Sequence, residues 1–121
     1  MTIRTRKVNN TTILDLAGDL TMGKSAEGLC TEIHHLLNGG ARHFAINLAE
    51  VNYIDSCGLG ALVSSFASAQ KAQVKCVFFG APSSVSSILK MAHLDAIFSL
   101  FPDEASALSS LSAPGSPGAA A

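Results

Sequence analysis

A chain of 121 residues and 12.5 kDa has the size of one domain and is long enough to bury a hydrophobic core without staples. With 48% hydrophobic and 14% charged residues, a net charge of −1 and a pI near 6.4, it has a globular composition. It lacks the broad basic surface that nucleic acid or an anionic membrane would require. Its three cysteines, Cys30, Cys57 and Cys76, are odd in number and show no CxxC spacing, which argues against a disulfide framework or a zinc site. No apolar run approaches the roughly 18 residues of a membrane span, and the N-terminus lacks the charged-then-apolar order of a signal peptide. A cytoplasmic protein with reduced thiols and no membrane insertion is therefore expected.

In chain order, residues 3–8 and 12–17 are two short extended segments separated by Asn9, Asn10 and Thr11, which suit a hairpin turn. Arg4, Arg6 and Lys7 in the first segment read as a solvated strand face. After Gly18, Asp19, Leu20, Thr21, Met22 and Gly23, the apolar positions Ala26, Leu29, Cys30, Ile33, Leu36 and Leu37 have helical spacing, and Gly39 and Gly40 supply a stop. His34 and His35 fall at that helix's end, where cations are favoured; as neighbours on a helix they point apart and cannot chelate together.

Residues 44–48, Phe-Ala-Ile-Asn-Leu, predict a buried strand of a βαβ unit. From Leu59 the positions Leu59, Leu62, Val63, Phe66 and Ala67 predict a helix to about Lys71, with Ser64, Ser65 and Ser68 on its outer face. Residues 74–79 predict a second buried strand, and Ser83 or Ser84 can cap a helix carrying Val85, Ile88, Leu89 and Ala92. Residues 97–101 predict a last strand, and Asp103 caps a final short helix with Ala105, Leu108 and Leu111 on one stripe. From Ser112 the Ala/Pro/Gly/Ser tail has nothing to bury, so residues 112–121 are expected to be disordered beyond a single domain of residues 1–111. The order β-β-α-β-α-β-α-β-α implies a mixed, mostly parallel α/β sheet whose N-terminal hairpin supplies the antiparallel strand.

The chemistry concentrates in Asp55-Ser56-Cys57-Gly58-Leu59-Gly60, where a strand's C-terminal end leads into a helix. Ligands and partners of open α/β sheets commonly gather at that edge. The plainer reading of Ser56 is a helix cap, worth about 1 kcal/mol. The functional reading is a phosphoacceptor, because a phosphate there meets free N–H groups and the positive end of the helix dipole.

Asn47-Leu48 and Val51-Asn-Tyr-Ile-Asp-Ser-Cys-Gly-Leu-Gly resemble the signature of STAS domains, specifically the short bacterial anti-sigma factor antagonists. The similarity continues through Gly18-Asp19-Leu20, through Val85, Ile88 and Leu89, and into residues 97–101 and Glu104-Ala105, covering roughly residues 3–111. This resemblance implies the STAS fold, with Ser56 as phosphoacceptor and Asp55 orienting it and contributing to the partner surface. It also implies that unphosphorylated protein binds an anti-sigma factor serine kinase and frees a sigma factor in transcriptional control of the stress-response type. The kinase then modifies Ser56 and a metal-dependent PP2C-type phosphatase restores it.

The partner surface implied comprises Asp19, Thr21, Asp55, Ser56, Cys57, Gly58, Leu59 and Gly60. Two positions depart from the family pattern: Cys57 stands where Ser, Thr or Ala is usual, and Thr21 where many members carry Asp. Cys57 places a thiol near a helix N-terminus, a setting in which thiols can become reactive, although a small space-filling residue is the simpler reading.

Other functions fit less well. The residues around Ser56 form no Gly-x-Ser-x-Gly elbow, and His34, His35, His43 and His93 form no catalytic pattern and no HExxH spacing. Gly58-Leu59-Gly60 has neither the length nor the lysine of a P-loop. No enzymatic activity, cofactor or metal is expected. The alternative is a STAS scaffold or regulatory subunit, in a stress-signalling assembly or on a membrane transporter, without sigma-factor control.

Overall fold

The computed structural model describes residues 1–112. Its N-terminal segment folds back on itself: β1 (Thr2–Val8) and β2 (Thr11–Leu20) pair antiparallel across a turn in which Asn9 takes a left-handed conformation at φ 56°. Asparagine tolerates that region better than most residues because its short amide bonds locally. The strands β3 (His43–Ile54), β4 (Lys75–Phe79) and β5 (Ser99–Phe101) then add in parallel, giving the order β1-β2-β3-β4-β5.

Because each parallel step moves in the same direction, right-handed crossovers put α1 (Lys24–Asn38), α2 (Ser56–Lys71) and α3 (Ser83–Met91) on one face of the sheet. Strand parity agrees. Leu14, Leu16, Phe44, Ile46, Leu48 and Phe78 pack into the core under those three helices, whereas Ile13, Ala45, Val77 and Phe79 meet Ala107 and Leu111 of α4 (Glu104–Ser112). The expected α/β architecture and element order are thus observed. The expected tail lies outside the described residues except for Ser112, which ends α4.

Several boundaries differ from the sequence expectation for identifiable reasons. β3 is more than twice the length of its apolar centre, because beyond Asn47 it pairs with β2 alone and therefore carries exposed Glu50, Asn52 and Tyr53. The last strand begins only at Ser99: Leu94–Ala96 form a 3₁₀ turn, Ile97 is exposed, and Phe98 leaves the strand path to stack on Phe78 with ring centroids 4.4 Å apart. Neither Ser83 nor Ser84 caps α3; Pro82 holds the cap position and Ser83 is the first helical residue. Asp103 does cap α4, accepting from Ser106 N–H at 2.9 Å.

The face of α2 is rotated from the expected one. Its buried residues are Gly58, Ala61, Leu62, Ser65 and Ala69, while Val63 and Ala67 are exposed. Ser65, expected outside, is 1% exposed and returns its hydroxyl to the Ala61 carbonyl at 2.8 Å. Small side chains on this face let α2 lie close to α1 and the sheet, and the larger Leu59 and Phe66 fill the flanks.

The basic residues of β1 also do more than meet solvent. Arg6 makes a two-point contact with Asp15 (Nε–Oδ2 2.6 Å, Nη2–Oδ1 3.0 Å) and reaches Glu104 of α4 (Nη2–Oε1 2.7 Å). Asn47 donates to the same Asp15 at 2.8 Å. The Arg6 hydrogen bond, seconded by Asn47, holds the Asp15 carboxyl below the usual carboxylate range, and Arg6 is held further toward its charged form. These partly exposed groups stabilise weakly, by about 0–1 kcal/mol, but they join α4 to the hairpin.

Candidate functional site at the β3–α2 turn

The outer half of β3 runs alongside the end of β2, pairing Asp19 with Tyr53 and Leu20 with Ile54, so the chain reaches Asp55 next to the start of the β2–α1 loop. Asp55 N–H donates to the Leu20 carbonyl at 3.3 Å and the Asp55 carbonyl accepts the first helical bond, from Leu59 N–H at 2.9 Å. The side chain completes the junction. Oδ1 accepts from Gly58 N–H at 2.8 Å, which makes Asp55 the N-cap of α2, and Oδ2 accepts from Met22 N–H at 3.0 Å across the two loops. One carboxylate therefore caps a helix and ties together the two loops that hold the expected partner residues.

The Met22 and Gly58 N–H groups hold the Asp55 carboxyl below its usual value of 3.8. A group depressed in the folded state stabilises that state above its unfolded pKa and loses the effect as pH falls through its folded value. Acid titration followed by NMR is therefore expected to move the Met22 and Gly58 amide resonances together, with a midpoint below 3.8, while the fold still persists. Independent midpoints for the two amides would show that one carboxylate does not hold both loops.

Ser56 is the first residue of α2, beyond the cap. Its side chain is exposed, and among the described residues its hydroxyl has no hydrogen-bond partner. The capping reading of Ser56 is accordingly replaced by Asp55. The turn follows the C-terminal end of the central strand β3, with no change of crossover direction beside it to form a crevice. A cavity of about 690 Å³ lies at the other end of α2, lined by Phe66, Gln70, Lys75, Val77 and Phe101 among others.

The STAS domain family model matches residues 2–107. The chain belongs to the STAS domain family. Solved structures share this fold at low identity. A Thermotoga maritima protein superposes with a TM-score of 0.82 at 21% identity, covering 88% of this chain and 92% of that one. An anti-sigma-factor antagonist (STAS) domain protein from Planctomyces limnophilus gives 0.80 at 16%, covering 92% and 98%. The phosphorylated form of the Bacillus cell fate determinant SpoIIAA gives 0.72 at 15%, covering 91% and 99%.

In this STAS domain the expected site residues gather at one edge but divide by exposure. Asp19, Ser56, Cys57 and Gly60 are exposed, Thr21, Asp55 and Leu59 are half-buried, and Gly58 is buried under Leu20. Gly58 seats the helix. Thr21 is fixed through its backbone, whose N–H and carbonyl both bond the Ser25 hydroxyl at 2.8 Å.

Two exposed apolar side chains beside the turn were not singled out by sequence: Met22, 74% exposed, and Tyr53, 53% exposed. The sequence carries no signal for Tyr53, because Val51-Asn52-Tyr53 alternates as if Tyr53 faced inward with Val51; the register shift opposite Gly18 and Asp19, which leaves Asn52 unpaired, breaks that alternation. Among the described residues no group of three or more His, Cys, Asp or Glu side chains is placed to hold a metal ion. No helix of the described residues is long and apolar enough to cross a membrane.

Proposed function

We propose that this STAS domain is a cytoplasmic anti-sigma factor antagonist that works by partner switching through Ser56. Unphosphorylated, it binds an anti-sigma factor serine kinase with the edge formed by Asp19, Thr21, Asp55, Ser56 and Cys57, flanked by the apolar Met22 and Tyr53. Binding frees the sigma factor. The kinase transfers the γ-phosphoryl group of ATP to Ser56 Oγ, whose proton leaves with the reaction, and the charged product parts from the kinase. A PP2C-type phosphatase returns the hydroxyl.

The observation that carries this reading is the free, exposed hydroxyl of Ser56 immediately after a cap made by Asp55. A serine that caps its helix gives up a structural bond when phosphorylated; Ser56 gives up none. Its place in the first helical turn suits a phosphate, which the positive end of the helix favours by about 0.3–1 kcal/mol. The existence of Bacillus SpoIIAA in both unphosphorylated and phosphorylated forms supports the same reading by analogy.

Incubation of the full chain with its cognate kinase and ATP is expected to add one phosphate, about 80 Da in an intact mass spectrum. Ser56→Ala is expected to add none. Labelling that persists in the alanine variant would remove Ser56 from the acceptor role.

A further inference from the structure

β5 is short and pairs with Val77, Phe78 and Phe79 of β4, whereas β4 already begins at Lys75. The chain ahead of β5 does not extend that pairing, because Leu94–Ala96 form a 3₁₀ turn and Phe98 turns into the core to stack on Phe78. Beside Lys75 and Cys76 the sheet therefore lacks a strand on its β5 side, and the cavity of about 690 Å³ occupies that place, bounded by the C-terminal ends of α2 and α4. Its volume lies within the range of small-molecule sites, roughly 300–1,000 Å³.

The lining divides by chemistry. Phe66, Val77, Phe101 and Leu111 supply an apolar wall, of which Phe66 and Phe101 are half-buried. Gln70, Gln73, Ser99 and Ser110 add amide and hydroxyl groups, and Lys75 is the one cation, with no Asp or Glu among the described residues of the lining. The Lys75 charge is unanswered: its side chain is exposed and makes no ion pair among the described residues. Its neighbour across β3 and β4 is His43, which burial, then the Lys75 and Arg42 charges, hold toward the neutral form. The negative end of α2 is muted here, since the Ala69 and Gln70 carbonyls accept from Val74 and Gln73 N–H at 2.8 and 3.0 Å.

We propose that this cavity binds a small amphipathic carboxylate of the medium-chain fatty acid class, with its alkyl chain on the apolar wall and its carboxylate on Lys75 Nζ. A neutral ligand would leave the cation unanswered, and a compact hydrophilic anion would leave the apolar wall in water. Phe66 joins the site to the core, packing on Phe98 with ring centroids 5.3 Å apart. It stands about 15 Å along α2 from Ser56. Binding here does not depend on the role of Ser56, so it is tested without a kinase.

Titration of the full chain with sodium octanoate is expected to shift the amide resonances of Lys75, Val77, Ser99 and Leu111 saturably. In calorimetry, affinity is expected to rise from hexanoate through octanoate to decanoate by up to about fourfold for each methylene buried. 1-Octanol lacks the charge-assisted bond and is expected to bind about tenfold more weakly than octanoate. Lys75→Gln is expected to remove that difference by weakening octanoate alone, and Gln70→Glu, which adds a negative charge at an exposed position, to act in the same direction. Both substitutions replace exposed side chains, and an unchanged thermal midpoint confirms the fold. Four results would overturn the proposal: no saturable shift at millimolar octanoate, shifts confined to other parts of the surface, equal affinity for octanoate and 1-octanol, or a Lys75→Gln chain that binds octanoate as the unmodified chain does.

Discussion

Ser56→Glu is expected to weaken binding of the full chain to the anti-sigma factor kinase by about 100-fold or more, while thermal stability hardly changes. One added negative charge about 5 Å from a carboxylate of the partner costs on the order of 3 kcal/mol at an effective dielectric near 20, which is about two decades in affinity. A phosphoserine carries about 1.5 to 2 charges, so the natural modification exceeds its mimic. The folded domain meets a different balance. The helix end returns about 0.3–1 kcal/mol to a new charge. The neighbouring Asp55 is already engaged by two N–H groups, and Ser56 makes no bond that the substitution could break. Isothermal titration of Ser56→Glu and Ser56→Ala against the kinase separates charge from shape, because the alanine variant is expected to bind as the unmodified chain does. Equal affinity of all three forms would sink the switch, and parallel loss in both variants would mean that the hydroxyl contributes contact and not control.

Much of this arrangement is legible in the residues themselves. The strand and helix order follows from changes of period between two and about 3.6, and strands and helices that bury a continuous apolar stripe, such as α1 and β4, carry that signal most cleanly. What the pattern misses has a common cause in unequal neighbours. The outer half of β3 pairs on one side only, so polar Glu50 and Asn52 sit in a strand that composition does not mark. On α2 the pattern weights large apolar side chains, but close packing selected the small face of Ala61, Ser65 and Ala69 and left Val63 40% exposed. At the site, both Asp55 and Ser56 are good capping residues, and periodicity cannot choose between them. The choice is made in space, by the Met22 N–H that arrives from another loop to share the Asp55 carboxylate. That long-range bond is also what separates a structural carboxylate from an available hydroxyl one residue later.

Gly58 and Gly60 are expected to respond to alanine with opposite signs, although they lie two residues apart in one helix. A Cβ on Gly60 meets nothing within 4 Å, so Gly60→Ala gains helix propensity of up to about 1 kcal/mol. A Cβ on Gly58 would collide with the Leu20 carbonyl oxygen, lie 2.8 Å from its carbon and 3.1 Å from Ile54 Cγ2. The obstacle is backbone that cannot step aside, because Leu20 pairs with Ile54 in the sheet and its carbonyl accepts from Asp55 N–H. The start of α2 must lift instead. Overpacking of this kind costs about 1–3 kcal/mol and more when the backbone resists, which outweighs the propensity gain. A net loss near 3 kcal/mol corresponds to a fall of about 10–20 °C in thermal midpoint for a domain of this size. Lifting the helix also stretches the Gly58 N–H to Asp55 Oδ1 bond, so the Met22 amide resonance is expected to shift in Gly58→Ala and to stay in place in Gly60→Ala. Calorimetry of the two variants checks the signs. A Gly58→Ala chain as stable as the unmodified one would mean that α2 does not sit on Leu20, and the geometry that presents Ser56 would have to be rebuilt from that point.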